Sequence, residues 1–218
     1  MSDLANTITI GLVTLLAAFL GAYSAFRLEN LARKRREART KADEGQRAIF
    51  TLIKYWNDLA VIREQFFRPH RDNPARAIAV MPVADFKMNE LRLNTSGLTF
   101  LIDEGEGTLL NQLLVEEDRV CNLDMVIKQR SDLHLNQVQP ALFGAGIQEG
   151  QGCTRQQVAD TLGEPLFQNI TRSTDDIYEL LDKTLNSIPE SIDELRTVLR
   201  RLFPSEKFPT FDANPDYV

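Results

Sequence analysis

The chain is poor in the residue types that mark covalent scaffolds and metal centres. It has two cysteines, Cys121 and Cys153, and two histidines, His70 and His134, in 218 residues. Two cysteines are too few for a disulfide framework. The histidines stand 64 residues apart and form no metal-ligand spacing with the cysteines. A GxxxxGK(S/T) phosphate loop, a GxSxG elbow and an HExxH helix are all absent. The glycine-rich stretch 144–152 has no preceding strand and no lysine, so it reads as a loop. The DEGEG run at 103–107 lacks the alternating ligands of a calcium loop and reads as a helix break. No catalytic residue, metal or cofactor is expected, and the chain reads as a non-enzyme. With 11 Gly and 9 Pro it is neither collagen-like nor of low complexity. A formal net charge of −6 argues against a nucleic-acid partner.

Charge is also missing locally. Residues 4–26 contain no charged side chain, and residues 8–26 read ITIGLVTLLAAFLGAYSAF. Nineteen helical residues reach about 28 Å, close to the thickness of a hydrocarbon core. Only a helix satisfies its own backbone there, so residues 8–26 are expected to be a transmembrane helix behind a short tail, 1–7. A cleaved signal peptide fits less well, because residues 1–7 lack Lys and Arg. The positive charge lies on the other side, in Arg27, Arg33, Lys34, Arg35, Arg36, Arg39 and Lys41. The positive-inside rule then places the N-terminus outside and the remainder in the cytoplasm. The expected location is the bacterial inner (plasma) membrane. Both cysteines then face a reducing compartment and are expected as free thiols.

Residues 27–71 carry a net charge of +6 and residues 72–218 a net −11. The collar's plainer role is to set topology; its second is to attract anionic membrane lipid. The acidic remainder points to protein partners.

Residues 27–67 lack proline and follow a heptad rhythm through Leu28, Leu31, Arg35, Ala38, Ala42, Gly45, Ile49, Leu52, Trp56, Leu59, Arg63 and Phe66. Within the apolar run, Ala17, Gly21 and Ala25 repeat at four-residue spacing, and Ser24 continues the seam. Small residues at that spacing allow close helix approach in lipid. Two readings stay open: the seam packs inside its own bundle, or it supports self-association through the first helix.

Beyond Pro69 the pattern predicts short helices at 85–91 and 98–102, the latter capped by Thr95 or Ser96. A long helix follows over 108–135, with Leu109, Leu113, Val120, Leu123, Ile127 and His134 on its buried stripe and Pro140 beyond its end. Thr154 and Gln157 form a capping box that opens a third helical region, interrupted at 163–165. Pro189 is expected near the start of a last helix that ends at Phe203. The tail after it is either a strap on the bundle or disordered.

The expected class is thus all-α: a single N-terminal transmembrane helix (8–26) continuing through a basic juxtamembrane helix (27–48) into a cytoplasmic helical bundle (49–203) with a tail (204–218). Its expected function is a membrane-anchored interaction, scaffold or sensing module. The alternative is a small membrane effector of a bacterial defence or stress system that clusters and perturbs the bilayer.

Overall fold

The computed structural model describes residues 2–83, 91–147 and 154–213; the side chains of residues 2–14 and of Ala17 lie outside that description. The fold is all-α, with no strand among the described residues. In order the chain forms α1 (Ser2–Ile62), a π turn (Arg63–Phe67), a 3-10 turn (Arg68–His70), α2 (Arg76–Ala79), a 3-10 turn (Thr95–Leu98), α3 (Phe100–Asp103), α4 (Gly107–Leu133), a second π turn (His134–Val138), α5 (Gln139–Gly144), α6 (Arg155–Leu162) and α7 (Glu164–Leu202). The chain divides into two compact units, Met1–Asp43 and Glu44–Val218.

The first unit is helix alone. Its backbone is helical across residues 8–26, yet among the described residues no helix is long and apolar enough to cross a membrane. Part of the apolar run lies outside the described side chains, and from Arg27 onward the same helix is dense in charge. The expected transmembrane helix is therefore not a feature of the described structure, and it returns below only as a proposal.

The second unit has a core supplied by three long helices. From α1 come Ile49, Leu52, Tyr55, Trp56, Leu59 and Ile62; from α4, Leu109, Leu113, Val120, Leu123 and Ile127; from α7, Ile177, Leu181, Leu185, Ile188, Ile192, Leu195 and Leu199. Most stand three or four residues from the next, with Leu113 and Val120 two turns apart, so each helix turns one apolar stripe inward. Burying one such side chain contributes about 1.5–3 kcal/mol. The seam is thus consumed by this core from Gly45 to Leu59, while Leu28 and Leu31 are exposed. Glycine at 45 has a steric cause: a Cβ there would lie 2.4 Å from Cδ2 of the fully buried Leu199.

A smaller apolar cluster forms where Ala77 of α2 meets Val138, Val158 and Leu162 of α6, and Ile170 of α7. The tail is a strap as far as Ala213: Phe208 is buried, and Phe211 meets Trp56 edge-on, with centroids 5.2 Å apart.

Several expected helix ends are corrected. Pro140 does not end the α4 path, because a π turn precedes it and Gln139 N–H donates to the His134 carbonyl five residues back. The wider turn places the proline at the start of α5, where its missing N–H is not needed. The same device precedes Pro69, where Arg68 N–H donates to the Arg63 carbonyl. Pro189 lies inside α7 rather than near a helix start. Its missing N–H would have met the Leu185 carbonyl, and that oxygen instead accepts from Trp56 Nε1 at 3.0 Å. Neither Thr95 nor Ser96 caps α3: Asn94 caps the 3-10 turn ahead of it, its side chain accepting from Gly97 N, and Thr99 at the N-terminus of α3 makes no side-chain cap bond. Thr154 and Gln157 do form the capping box. Gly163, at φ 73°, separates α6 from α7 as two helices. The helix expected at 85–91 lies, up to residue 90, outside the described residues, as does Cys153.

Candidate functional site

Two surfaces carry chemistry. The first is α1 within the first unit. Arg27, Arg33, Lys34, Arg35, Arg36 and Arg39 are exposed and Lys41 is half-buried. Arg27 lies over the Tyr23 ring at 5.9 Å, and Arg33 hydrogen-bonds Asn30 and pairs with Glu37 at 3.8 Å. Such exposed pairs contribute little to stability, so the collar's charge stays largely directed at its surroundings.

Ahead of the collar, Leu15, Leu16, Phe19, Leu20, Tyr23 and Phe26 are 52–70% exposed. At 100° per residue these bulky side chains share one arc of the helix, whereas Ala18, Gly21, Ala22, Ser24 and Ala25 share the other. A Cβ at Gly21 would meet nothing within 4 Å. Gly21, Ser24 and Ala25, three of the four expected helix-packing residues, are exposed; the side chain of Ala17 lies outside the described residues.

The second surface was not expected from sequence. A cleft of about 430 Å³ opens between residues 71–78 and the helices α6 and α7. Its floor includes Ala77, Ile78, Val158 and Phe167 of the smaller apolar cluster. Its polar rim includes Arg71, Asp72, Arg76, Arg155 and Asp175. Arg71 donates twice to Asp182, and this bonding holds its guanidinium above the ordinary range. Arg76 donates to Asp175 Oδ1 from both Nε and Nη2, at 3.0 and 2.8 Å. Both guanidiniums lie over Tyr178, whose phenol is pushed up by burial and donates to the Phe67 carbonyl at 2.7 Å.

The segment that forms one wall is held from behind by α4 and the turn after it. Arg130 is buried and donates to the carbonyls of Ala77, Val80 and Met81 and to Thr174 Oγ1. Ser131 Oγ accepts from Val83 N at 3.1 Å. His134 Nε2 meets the Ile78 carbonyl at 3.1 Å, and since a carbonyl only accepts, Nε2 carries the proton. Burial first, and the charge of Arg130 with it, holds that imidazole below its ordinary pKa, so it is neutral at pH 7. His134 is therefore a buried structural histidine, as its place on the α4 stripe implied.

His70 closes the turn after α1 and is half-buried. Cys121 is a free thiol, pushed up by burial and bonded by Arg92. Among the described residues no group of His, Cys, Asp and Glu is placed to hold a metal ion. No protein-family model matches the chain, and no curated protein or solved structure matches it either.

Proposed function

We propose that this chain is a single-pass, membrane-anchored helical module. Residues 8–26 cross the bilayer with the N-terminus outside, the collar lies at the cytoplasmic face, and the second unit serves there in interaction or sensing rather than catalysis. The observation that supports this reading is the surface of α1. Large apolar side chains from Leu15 to Phe26 are exposed, and the charged stretch begins directly after them at Arg27. A contiguous apolar surface of that kind calls for a cover, and a bilayer with the collar at its interface provides one.

The test is fractionation of cells expressing the full chain. It is expected to stay with membranes through an alkaline carbonate wash, and deletion of residues 1–26 is expected to release it. Replacing Arg33, Lys34, Arg35 and Arg36 with Glu, with Lys added before Ile8, is expected to expose the C-terminus to external protease. Full-length protein in the soluble fraction would overturn the anchor, and an unmoved C-terminus would overturn the role of the collar.

Within this reading, a second copy docks on the small-residue arc. Leu28 and Leu31 share that arc with Gly21 and Ser24, and all four are exposed. Small residues allow the close backbone approach that stabilises helix pairs in lipid. A cysteine at Ser24 is therefore expected to crosslink between copies in membranes, and one at Phe19 is not. Crosslinking at position 19 alone would place the contact on the bulky arc instead.

A further inference from the structure

We propose that the cleft between residues 71–78 and α6–α7 binds a small organic anion: a phosphate or carboxylate carried on an apolar body. The volume, about 430 Å³, suits such a ligand, since small-molecule sites commonly enclose about 300–1,000 Å³. The lining divides about evenly between apolar side chains on the floor and charged or polar ones at the rim, which suits a ligand with one apolar and one charged end.

The choice of an anion comes from which rim charges are already committed. Arg71 is bound to Asp182 and Arg76 to Asp175, so these two cations are matched by carboxylates of α7. Asp72 adds its negative charge beside Arg71. Arg155 differs. Its guanidinium lies over the Phe167 ring at 5.5 Å, and it has no carboxylate partner among the described residues. A guanidinium beside an aromatic ring and without a carboxylate partner has its N–H groups available to the paired oxygens of a phosphate or carboxylate. Arg155 is also the first residue of α6, where the aligned backbone dipoles add positive potential.

A second, independent observation concerns Thr171. It lies one helical turn beyond Phe167 and one before Asp175, and all three line the cleft. Its hydroxyl is shielded from solvent and has no hydrogen-bond partner among the described residues. A buried hydroxyl without a partner is costly, and native structures rarely leave one. A turn of the Thr171 side chain would bring that hydroxyl to a ligand oxygen in the cleft, while the ligand's apolar body would cover Ile78, Val158 and Phe167.

This inference does not depend on the membrane anchor, and its test keeps the two apart. Phenyl phosphate, benzoate, inorganic phosphate and benzyl alcohol are titrated into the full chain in nonionic detergent and followed by calorimetry. A ligand this small is expected to bind at about millimolar affinity. Phenyl phosphate or benzoate should saturate, while inorganic phosphate and benzyl alcohol, each lacking one half of the chemistry, should bind several-fold more weakly. Arg155→Gln is expected to weaken binding about tenfold, the size of one lost charge-assisted bond. Thr171→Val is expected to weaken it several-fold without lowering the melting temperature, because the hydroxyl it removes has no partner in the chain. Replacing Arg33, Lys34, Arg35 and Arg36 with Gln should leave binding unchanged. Absence of saturation by both aromatic anions to about ten times the expected dissociation constant would overturn the proposal. So would binding that survives both cleft variants but is lost with the collar.

Discussion

Replacing Arg130 with leucine is expected to destabilise the protein by about 3–5 kcal/mol, at the upper end of single-site effects. Arg130 is 1% exposed and has no carboxylate partner among the described residues. Burial pushes its guanidinium down to about 10, which still leaves it charged at neutral pH. That charge is met by the carbonyls of Ala77, Val80 and Met81, oxygens that have no backbone partner among the described residues. Leucine would fill part of the volume but donate nothing, and a buried carbonyl stripped of its donor costs about 1–3 kcal/mol. The costs will not add in full, because Met81 is exposed and water can reach its end of the segment. Arg130→Lys keeps a charge but replaces a planar fork with one ammonium, which cannot reach three carbonyls at once, so an intermediate loss is expected. Urea unfolding followed by circular dichroism measures both. A leucine variant within about 1 kcal/mol of the parent would show that the segment 77–83 is held by other means. Because Ala77 and Ile78 of that segment line the cleft, loss of Arg130 should also weaken anion binding there.

Arg130 illustrates how much the sequence discloses. The stripe of α4 is legible as Leu109, Leu113, Val120, Leu123 and Ile127, and Arg130 is simply its next position, three residues on. Periodicity therefore marked an inward position, but an arginine there is ordinarily assigned to solvent, and nothing local names the carbonyls of residues 77–81 as its partners. The all-helical class, the stripe of α7, the capping box of Thr154 and Gln157 and the burial of Trp56 were all within reach, because each depends on local spacing. The cleft was not. Its walls come from three stretches near residues 71–78, 155–158 and 167–175, and Thr171 and Asp175 look like any polar helix face until the fold sets them opposite α2. The proline errors have the same origin. Whether a proline ends a helix is decided by what becomes of the backbone groups around it. At Pro140 a wider turn answers that question locally, and at Pro189 a side chain 129 residues away in sequence from Leu185 does so.

The second large effect follows from that long-range bond. Trp56→Ala is expected to cost about 3–5 kcal/mol, the usual range for truncating a buried tryptophan. Trp56 is 3% exposed, meets Phe211 of the tail and donates from Nε1 to the Leu185 carbonyl. The more informative variant is Trp56→Phe, which keeps an aromatic ring and removes the indole N–H. In the parent, Pro189 has no N–H to offer Leu185, so phenylalanine leaves a buried carbonyl unpaired. In a Pro189→Ala background, the alanine N–H can close the helical bond to Leu185, and the loss of the indole donor matters less. Trp56→Phe should therefore cost about 1–2 kcal/mol more in the parent than in the Pro189→Ala background. The four proteins form a double-mutant cycle, best followed by circular dichroism because Trp56 is the sole tryptophan. Equal costs in the two backgrounds would mean that the indole and the proline are independent. A difference of the stated sign would show that α7 runs unbroken through Pro189 because α1 supplies the missing donor, which ties the two core helices together at a single carbonyl oxygen.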